Sequence, residues 1–511
     1  MRALISAYDK VGLDVFARGL AELGWELVAS GGTAAYLEDE LGLEVERVET
    51  LTDSPEMLGG RVKTLHPRIH AAILARRDRA EDVATLQKHR IAPFDLVCVN
   101  LYPFERVSAQ RGISEAEAVE MIDIGGPSML RGAAKNFAHC APVCRPERYG
   151  FVLDELRSEG MLSLETRREL AAETFATTAC YEAAIAGWFA ERETFPETIV
   201  VPLEKVLDLS YGENPHQRAA YYAERGARSH LLARVEQRHG KALSFNNLND
   251  LNAARLLARE FTLPACVIVK HANPCGVAIG ATLEEAYDKA LASDPTSAYG
   301  GVVVLNREVE HVLGEKLAEQ FVEVLFAPDY TEGALAALTR KQGTRILVDH
   351  ERRRAGIEAF HFKRVSGGML VQDPDAEIED RQEWQLVCGS PDERQWGDLV
   401  FGWRVCKHVS SNAIVLAKDL ATIGIGAGQM SRVDSVRIAV DKAATYGHDV
   451  HGSALASDAF FPFPDGPRIA LDAGATSIVQ PGGSKRDQDV IDAVEKAGAA
   501  MAFTGRRHFR H

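Results

Sequence analysis

At 511 residues, with 46% apolar and 26% charged side chains, the chain has the make-up of an ordinary soluble protein and is too long for one core, so several domains of roughly 100 to 200 residues are expected. A net charge of −15 argues against general nucleic-acid affinity, and eight cysteines without a CxxC pair suggest neither a disulfide framework nor structural zinc. No run of about 18 uncharged apolar residues is present to span a bilayer, and Met1–Ala7 is apolar too briefly for a secretory core, which points to the cytoplasm.

From the amino end, strand-like Ala3–Ala7 is followed by Phe16, Leu20 and Leu23 at helical spacing and then by a second strand, Trp25–Ala29, which is α/β alternation. Between that strand and the helical Ala34–Leu37 lies Ser30-Gly31-Gly32-Thr33. Exposed backbone N–H groups there can hold a phosphate, and a plain glycine turn with a hydroxyl cap is the alternative. Arg61, Lys63 and Thr64 bring two cations and a hydroxyl together after Gly59-Gly60, suited to an anion or to a solvated basic loop. Pro67 keeps His66 and His70 from sharing a helix face, so no metal pair is expected.

The apolar run Leu96–Val99 delivers Asn100 and Tyr102 into a loop at a strand's carboxyl end, where open parallel sheets bind ligands. Asp123-Ile124-Gly125-Gly126 leads into a helix carrying Arg131 and Lys135, so a carboxylate and a lysine can converge on one site, or these charges merely complement the helix dipole. Ala-rich sequence from Ser163 to about Glu193 reads as one or two helices broken by Pro196, and a domain boundary is placed near residue 198.

The second part contains an internal repeat. Val267–Gly280 aligns with Val415–Gly428, Lys270 falling on Lys418, Gly276 on Gly424 and Gly280 on Gly428, and Ala-Leu-Ala-Ser-Asp occurs at 290–294 and again at 454–458. Two copies of one α/β unit, around 265–305 and 412–463, are expected. Only the first carries Lys270-His271, emerging together at a strand end; the second has Lys418-Asp419. A histidine there suits proton removal from a weakly basic amine beside an ammonium that stabilises an oxyanion, or it is a structural loop histidine. Pro274-Cys275 lacks the other parts of a zinc-deaminase signature, so no metal is expected. Gly424–Gly428 matches a dinucleotide fingerprint only loosely; its glycines admit a ligand with Arg432 nearby to grip an anion, or they make a close-packed turn. The basic, aromatic tail from Phe503 to His511 either frays or folds back towards a phosphate.

Taken in order, Ser30–Thr33, RVKTLHP from Arg61, NLYPF from Asn100, DIGGPSM from Asp123, YGENPHQ from Tyr211, KHANPCG from Lys270, IGIGAGQMSRVD from Ile423, SDAFFPF from Ser457 and the terminal RHFRH resemble the family of bifunctional AICAR transformylase/IMP cyclohydrolases over nearly the whole chain. The resemblance implies an α/β fold class. Residues 1–197 would form a methylglyoxal-synthase-like parallel-sheet domain that closes the ring, and residues 198–511 a duplicated cytidine-deaminase-like α/β domain without zinc that transfers the formyl group. It further implies a cyclohydrolase pocket of Ser6, Asp9, Lys10, Ser30, Gly31, Gly32, Thr33, Arg61, Thr64, Asn100 and Ile124, with Lys63, Tyr102, Asp123 and Lys135 moving protons and stabilising charge, Lys135 as acid/base. For formyl transfer it implies His271 as base, Lys270 as stabiliser of the formyl carbonyl and Asn412 as orienter; Tyr211, Glu323, Arg432 and Arg507 would contact nucleotide, and Phe460 and Asp465 the folate. The donor would be 10-formyltetrahydrofolate, the partners small nucleotide and folate substrates without nucleic acid or membrane, and the assembly a homodimer.

Ser210 and Ser410 stand where the family usually has Arg and Lys, which places one phosphate contact in doubt. A ligand-sensing module is the rival from another class, a zinc nucleoside deaminase a second, and a single-activity transformylase the nearest alternative. The sensing reading would need Lys63 and Lys135 to be lost, and both are present.

Overall fold

The computed structural model of the chain describes residues 1–190, 195–225, 230–351, 360–376 and 380–511. It divides into two compact units, Met1–Glu204 with Glu224–Gly226, and Lys205–Ala223 with Ala227–His511.

In the first unit, β1 (Arg2–Ala7), β2 (Glu26–Ala29), β3 (Val45–Arg47), β4 (Leu96–Asn100) and β5 (Ala141–Val143) form a parallel sheet in the order β3-β2-β1-β4-β5. Alternation along each strand sends side chains to opposite faces. Ile5, Leu27 and Cys98 pack with Phe16, Leu20 and Leu153 on one side, while Leu4, Val28 and Val97 pack with Ile73, Met129 and Leu130 on the other. Because both faces are covered, the central strands β1, β2 and β4 are near-continuous apolar runs, as buried parallel strands require. The strand order reverses between β1 and β4, so the loops that follow those two strands open a crevice at their carboxyl ends. The Ala-rich stretch is one helix, Leu164–Ala190; Glu193, its expected end, lies outside the described residues.

A two-stranded ribbon of β6 (Leu203–Leu209) and β7 (Ala219–Glu224) follows. The second unit is built on twelve strands: β8 (Val235–His239), β9 (Ala265–Lys270), β10 (Asn273–Ile279), β11 (Val302–Leu305), β12 (Val324–Ala327) and β13 (Arg345–Asp349), then, past the hairpin of β14 (His361–Val365) and β15 (Gly368–Gln372), β16 (Gln385–Cys388), β17 (Ile414–Lys418), β18 (Ala421–Gly426), β19 (Ala454–Ser457), β20 (Ser477–Gln480) and β21 (Ala500–Phe503). Their order, β16-β21-β20-β19-β17-β18-β10-β9-β11-β12-β13-β8, reads the same from either end once the second six strands are matched to the first, and the halves meet where Ala278 pairs with Ala421. The helices Phe245–Ala258 and Glu393–Cys406 occupy corresponding places before the β9/β10 and β17/β18 hairpins.

The shared pentapeptide is not part of this duplication. Ala290–Ser293 closes the helix Leu283–Ser293, whereas Ala454–Ser457 is strand β19, whose counterpart in the first half is β11. So short an apolar run suits either structure, and its surroundings decide.

The glycines at 424 and 426 serve close packing rather than a dinucleotide. A β-carbon at Gly276 would overlap the Ala290 carbonyl oxygen, one at Gly424 that of Ala439, and one at Gly426 that of Ser435. In each case the strand lies against a helix backbone. Gly276→Ala is therefore expected to destabilise the protein by about 1–3 kcal/mol or more, read as a lower denaturant midpoint at unchanged slope; an unchanged midpoint would contradict the close approach.

Candidate functional sites

In the first unit, the crevice between β1 and β4 is tied across its mouth. Asn100, the last residue of β4, accepts the Asp9 N–H at Oδ1 (2.9 Å) and donates from Nδ2 to the Asp9 carbonyl (2.8 Å). Thr33 Oγ1 accepts from the Ala7 N–H (3.1 Å) and donates to the Ala7 carbonyl (3.0 Å), joining the end of β1 to the Ser30–Thr33 turn. Lys10 Nζ reaches both Thr33 Oγ1 (3.3 Å) and the Ala7 carbonyl. Burial lowers the Lys10 pKa, Asp9 opposes that, and the nearby positive charge of Lys63 adds to it. Gly31 has φ of +48°, and a β-carbon there would lie 3.1 Å from Lys63 Nζ, so the Lys63 ammonium rests on the glycine backbone. Ser30 precedes the short helix Gly31–Ala35, and its buried hydroxyl has no partner among the described residues. Two cations thus stand beside a glycine turn with a spare hydroxyl, which suits an anion.

Asp123 sits at the head of the helix Gly125–Lys135. Its Oδ1 accepts the Gly126 N–H (2.8 Å), and its own N–H donates to the Tyr181 hydroxyl (2.8 Å), which donates to the Met121 carbonyl (2.9 Å). Both glycines are needed for close approach: a β-carbon at Gly126 would stand 2.5 Å from Asp123 Oδ2, and one at Gly125 2.5 Å from Thr64 Oγ1. Burial raises the Asp123 carboxyl, against backbone hydrogen bonds from Gly126 and Tyr102 and the charge of Lys63. Burial likewise raises the Tyr102 phenol, helped by Asp123 and Glu56. Asp123 is thus within electrostatic reach of both Lys63 and the Tyr102 phenol, and Tyr8 lies 5.2 Å from Tyr102, ring centre to ring centre. Ser6 lies on β1, paired with Val99, and Ile124 is exposed at the helix start. Arg61 is exposed and ion-paired with Glu120.

Lys135 does not converge with Asp123 inside one chain. It is exposed at the far end of the helix, about 15 Å along the axis at 1.5 Å per residue. There it lines a separate cavity of about 580 Å³ with His70, Arg131, Arg168 and Phe175. Spacing in sequence placed it on the right helix and at the wrong end.

In the second unit, β9 and β10 form a hairpin whose two-residue turn is His271-Ala272, both with positive φ (+52° and +58°). The turn puts His271 at the surface, while Lys270 Nζ donates to the Tyr299 carbonyl (2.8 Å). Neighbouring strands bring further groups to this edge. Glu323 donates its N–H to Gly301, just before β11, and accepts at its carbonyl from Arg345, the first residue of β13. Its carboxylate accepts from Asn247 Nδ2 (3.0 Å) and faces Arg345 (3.4 Å). Tyr211 is fixed at the start of the helix Phe245–Ala258, its carbonyl accepting the Phe245 N–H (3.1 Å). Asp250, on the same helix, accepts from the backbone of His271 and Ala272. Sequence reading missed this aspartate, although Asp398 stands at the same offset in the repeat as Lys418 from Lys270.

Asn273 joins this turn to the second half of the sheet: Nδ2 donates to the His271 carbonyl (3.2 Å), and Oδ1 accepts the Ser410 N–H (2.8 Å). Two residues on, Asn412 donates from Nδ2 to the carbonyls of Gln429 (2.8 Å) and Met430 (3.1 Å) and accepts from Arg432 Nη2 (2.7 Å). Arg432 also holds Ser457 (2.9 Å) and buried Asp458, and its side chain is 9% exposed. The expected anion grip is thus corrected: this guanidinium is spent on the protein's own groups and holds Asn412 in place. The tail folds back on the protein through His508 and Arg510. His508 donates its N–H to the Asp458 carbonyl (3.0 Å) and pairs with Asp375 (2.6 Å), and Arg510 donates to the His408 carbonyl (2.7 Å). Arg507 is exposed over the Phe509 ring, as are Phe460 and Asp465 beyond β19. Ser210 and Ser410 are engaged by the Leu243 carbonyl and by Asn273.

Among the described residues no group of three or more His, Cys, Asp or Glu side chains is arranged to hold a metal, and burial pushes the Cys275 thiol up to about 12. No helix among them is long and apolar enough to cross a membrane.

The sequence model of the family described as AICARFT/IMPCHase bienzyme matches residues 133–442, and that of the MGS-like domain residues 12–128. The chain is 49% identical over 514 residues to a "Bifunctional purine biosynthesis protein PurH" of Anoxybacillus flavithermus, covering 100% of this chain and 99% of that one. It is also 49% identical over 518 residues to the protein of the same name from Rhodopirellula baltica, covering 100% and 98%. A solved structure titled "Crystal structure of ForH" is 39% identical, covering 38% of this chain and 98% of that one, with a TM-score of 0.35.

Proposed function

The chain belongs to the AICARFT/IMPCHase bienzyme family, and on that premise we propose that it formylates the 5-amino group of AICAR from 10-formyltetrahydrofolate and then closes formyl-AICAR to IMP with loss of water. The observation that carries a two-step reading is that each unit holds its own constellation of proton-transfer and charged groups, with no residue in common. We assign ring closure to residues 1–197 and formyl transfer to residues 198–511.

For ring closure the carboxamide nitrogen attacks the formyl carbon, and the formyl oxygen, taking up the two protons that the carboxamide and formamido nitrogens give up, leaves as water. Asp123, its carboxyl raised by burial, accepts the nitrogen's proton; Tyr102, kept protonated by burial and by Asp123, donates a hydrogen bond to the oxyanion that forms, and Lys63 balances its charge. Ser6, Asp9, Lys10, the Ser30–Thr33 turn, Arg61, Thr64, Asn100 and Ile124 hold the nucleotide. Lys135 joins this set only across a homodimer, in which a second copy brings its own Lys135 to the pocket.

For formyl transfer, His271 takes the amine proton as nitrogen attacks the formyl carbon, Lys270 stabilises the carbonyl oxygen, and Asn412, oriented by Arg432, aligns the two; the bond from the formyl carbon to N10 of the folate then breaks, and the proton held by His271 goes to N10 as tetrahydrofolate leaves. Tyr211, Glu323 and Arg507 contact the nucleotide, and Phe460 and Asp465 the folate. Eight free thiols, seven of them buried, support a cytoplasmic enzyme, and no helix among the described residues is long and apolar enough to cross a membrane. The test supplies AICAR and 10-formyltetrahydrofolate to purified protein and follows tetrahydrofolate and IMP separately. Both products are expected; tetrahydrofolate without IMP would leave a transformylase alone, and neither product would return the ligand-sensing reading.

A further inference from the structure

Two-residue hairpin turns with both residues left-handed favour Asn and Gly, which tolerate positive φ. The turn between β9 and β10 instead carries His271 at φ +52° and Ala272 at +58°. One side chain compensates. Asp250 Oδ2 accepts the His271 N–H (3.2 Å) and Oδ1 the Ala272 N–H (2.7 Å), satisfying both backbone donors of the turn at once. Asp250 is half-buried on the helix Phe245–Ala258, so the helix fixes the carboxylate and the carboxylate fixes the turn.

The second half of the sheet repeats this device around a turn of different chemistry. Asp398, at the matching place on the helix Glu393–Cys406, accepts from Asp419 (3.1 Å) and Leu420 (2.8 Å), whose φ values are +53° and +58°. There the exposed groups are already neutralised, Asp419 by Arg394 (3.0 Å) and Lys418 by Asp449 (3.0 Å). The clamp is common to both turns, and only the first presents a base.

We propose that Asp250 is a positioning residue for formyl transfer: by clamping the left-handed turn it fixes the direction in which His271 presents its imidazole. The charged groups facing Asp250 are His271, which favours the carboxylate when protonated, and Glu323, which opposes it and is itself turned towards Asn247 and Arg345. A histidine on an unclamped turn would sample several directions, and misplacement of a base by about 1 Å is enough to cost two orders of magnitude.

The inference rests on His271 being the base, and the test separates the two. Four variants of the full chain are assayed for formyl transfer (kcat and KM for AICAR), for ring closure of formyl-AICAR, and for Tm: Asp250→Asn, Asp398→Asn, Asp250→Asn with Ala272→Gly, and His271→Ala. Asparagine keeps the shape and leaves one N–H of the turn without an acceptor. Asp250→Asn is expected to lower kcat for formyl transfer by about 10- to 100-fold with KM changed less than about twofold, ring closure being untouched. Asp398→Asn is expected to lower Tm similarly with kcat unchanged. Glycine at 272 relieves the left-handed turn, so the double variant is expected to regain Tm without regaining kcat. Recovery of kcat together with Tm, or equal kcat losses in Asp250→Asn and Asp398→Asn, would make the clamp purely structural and overturn the proposal. An active His271→Ala would remove the base assignment and the clamp's role with it; an inactive His271→Ala beside a normal Asp250→Asn would remove the clamp's role alone.

Discussion

His271→Ala is expected to lower formyl transfer by roughly 10²- to 10⁴-fold, the usual worth of a general base, while ring closure of supplied formyl-AICAR proceeds at the rate of the unaltered chain. The aromatic amine of AICAR is a weak nucleophile because its lone pair is delocalised into the ring. As nitrogen bonds to the formyl carbon its proton becomes acidic, and an imidazole at that point takes it without needing an extreme pH. The same turn in the second half of the sheet offers Asp419 bound to Arg394, so the duplicated turn does not supply a replacement base. Lys270 is held by the Tyr299 carbonyl, so it does not rescue the variant. The measurement is tetrahydrofolate release and IMP formation in one preparation whose thermal unfolding matches that of the unaltered protein. Loss of both activities in folded protein, or survival of formyl transfer, would sink the division of labour between the units.

How far the sequence reveals this arrangement depends on whether a feature is local. The crevice of the first unit is legible because the apolar run ending at Asn100 and the run ending at Ala7 are each short, continuous and followed by polar loops, which is what adjacent buried parallel strands require. The paired hairpins are legible for the same reason, since Lys270 and Lys418 both close a strand. Geometry that depends on distance along an element is less visible. Asp123 stands just before one helix and Lys135 ends it, and only counting its rise of about 15 Å separates them. Identity of letters misleads when the run is short, as the pentapeptide that is helical at Ala290 and extended at Ala454 shows. Least legible are groups that act on backbone far away in sequence. Asp250 serves a turn about twenty residues later, and Arg432 is consumed by Asp458 and Asn412, contacts that no periodicity announces.

Asp123→Asn is expected to cost ring closure roughly 10²- to 10⁴-fold and to leave formyl transfer intact, and its pH dependence identifies the cause. The Asp123 carboxyl lies above its ordinary value because burial penalises the charged form, and the hydrogen bonds from Gly126 and Tyr102 and the charge of Lys63 offset that only in part. If the carboxylate is the proton acceptor, kcat for ring closure is full above the raised pKa and falls as pH drops through it, so the acid limb stands above the ordinary carboxylate range near 3.8. Asparagine has no proton to gain, so the variant's residual rate loses that limb. Tyr102 titrates in the opposite sense: its phenol is raised by burial and by Asp123, so it remains a donor through neutral pH, and the basic limb owes nothing to it below its ordinary value near 10. A carboxamide at 123 still accepts the Gly126 N–H through its oxygen but gives up the hydrogen bond from the Tyr102 backbone, so thermal unfolding is measured beside the rate to separate a stability change from the chemistry. An acid limb that persists in Asp123→Asn would place the titrating group elsewhere, and normal ring closure in that variant would take the proton transfer away from this carboxylate altogether.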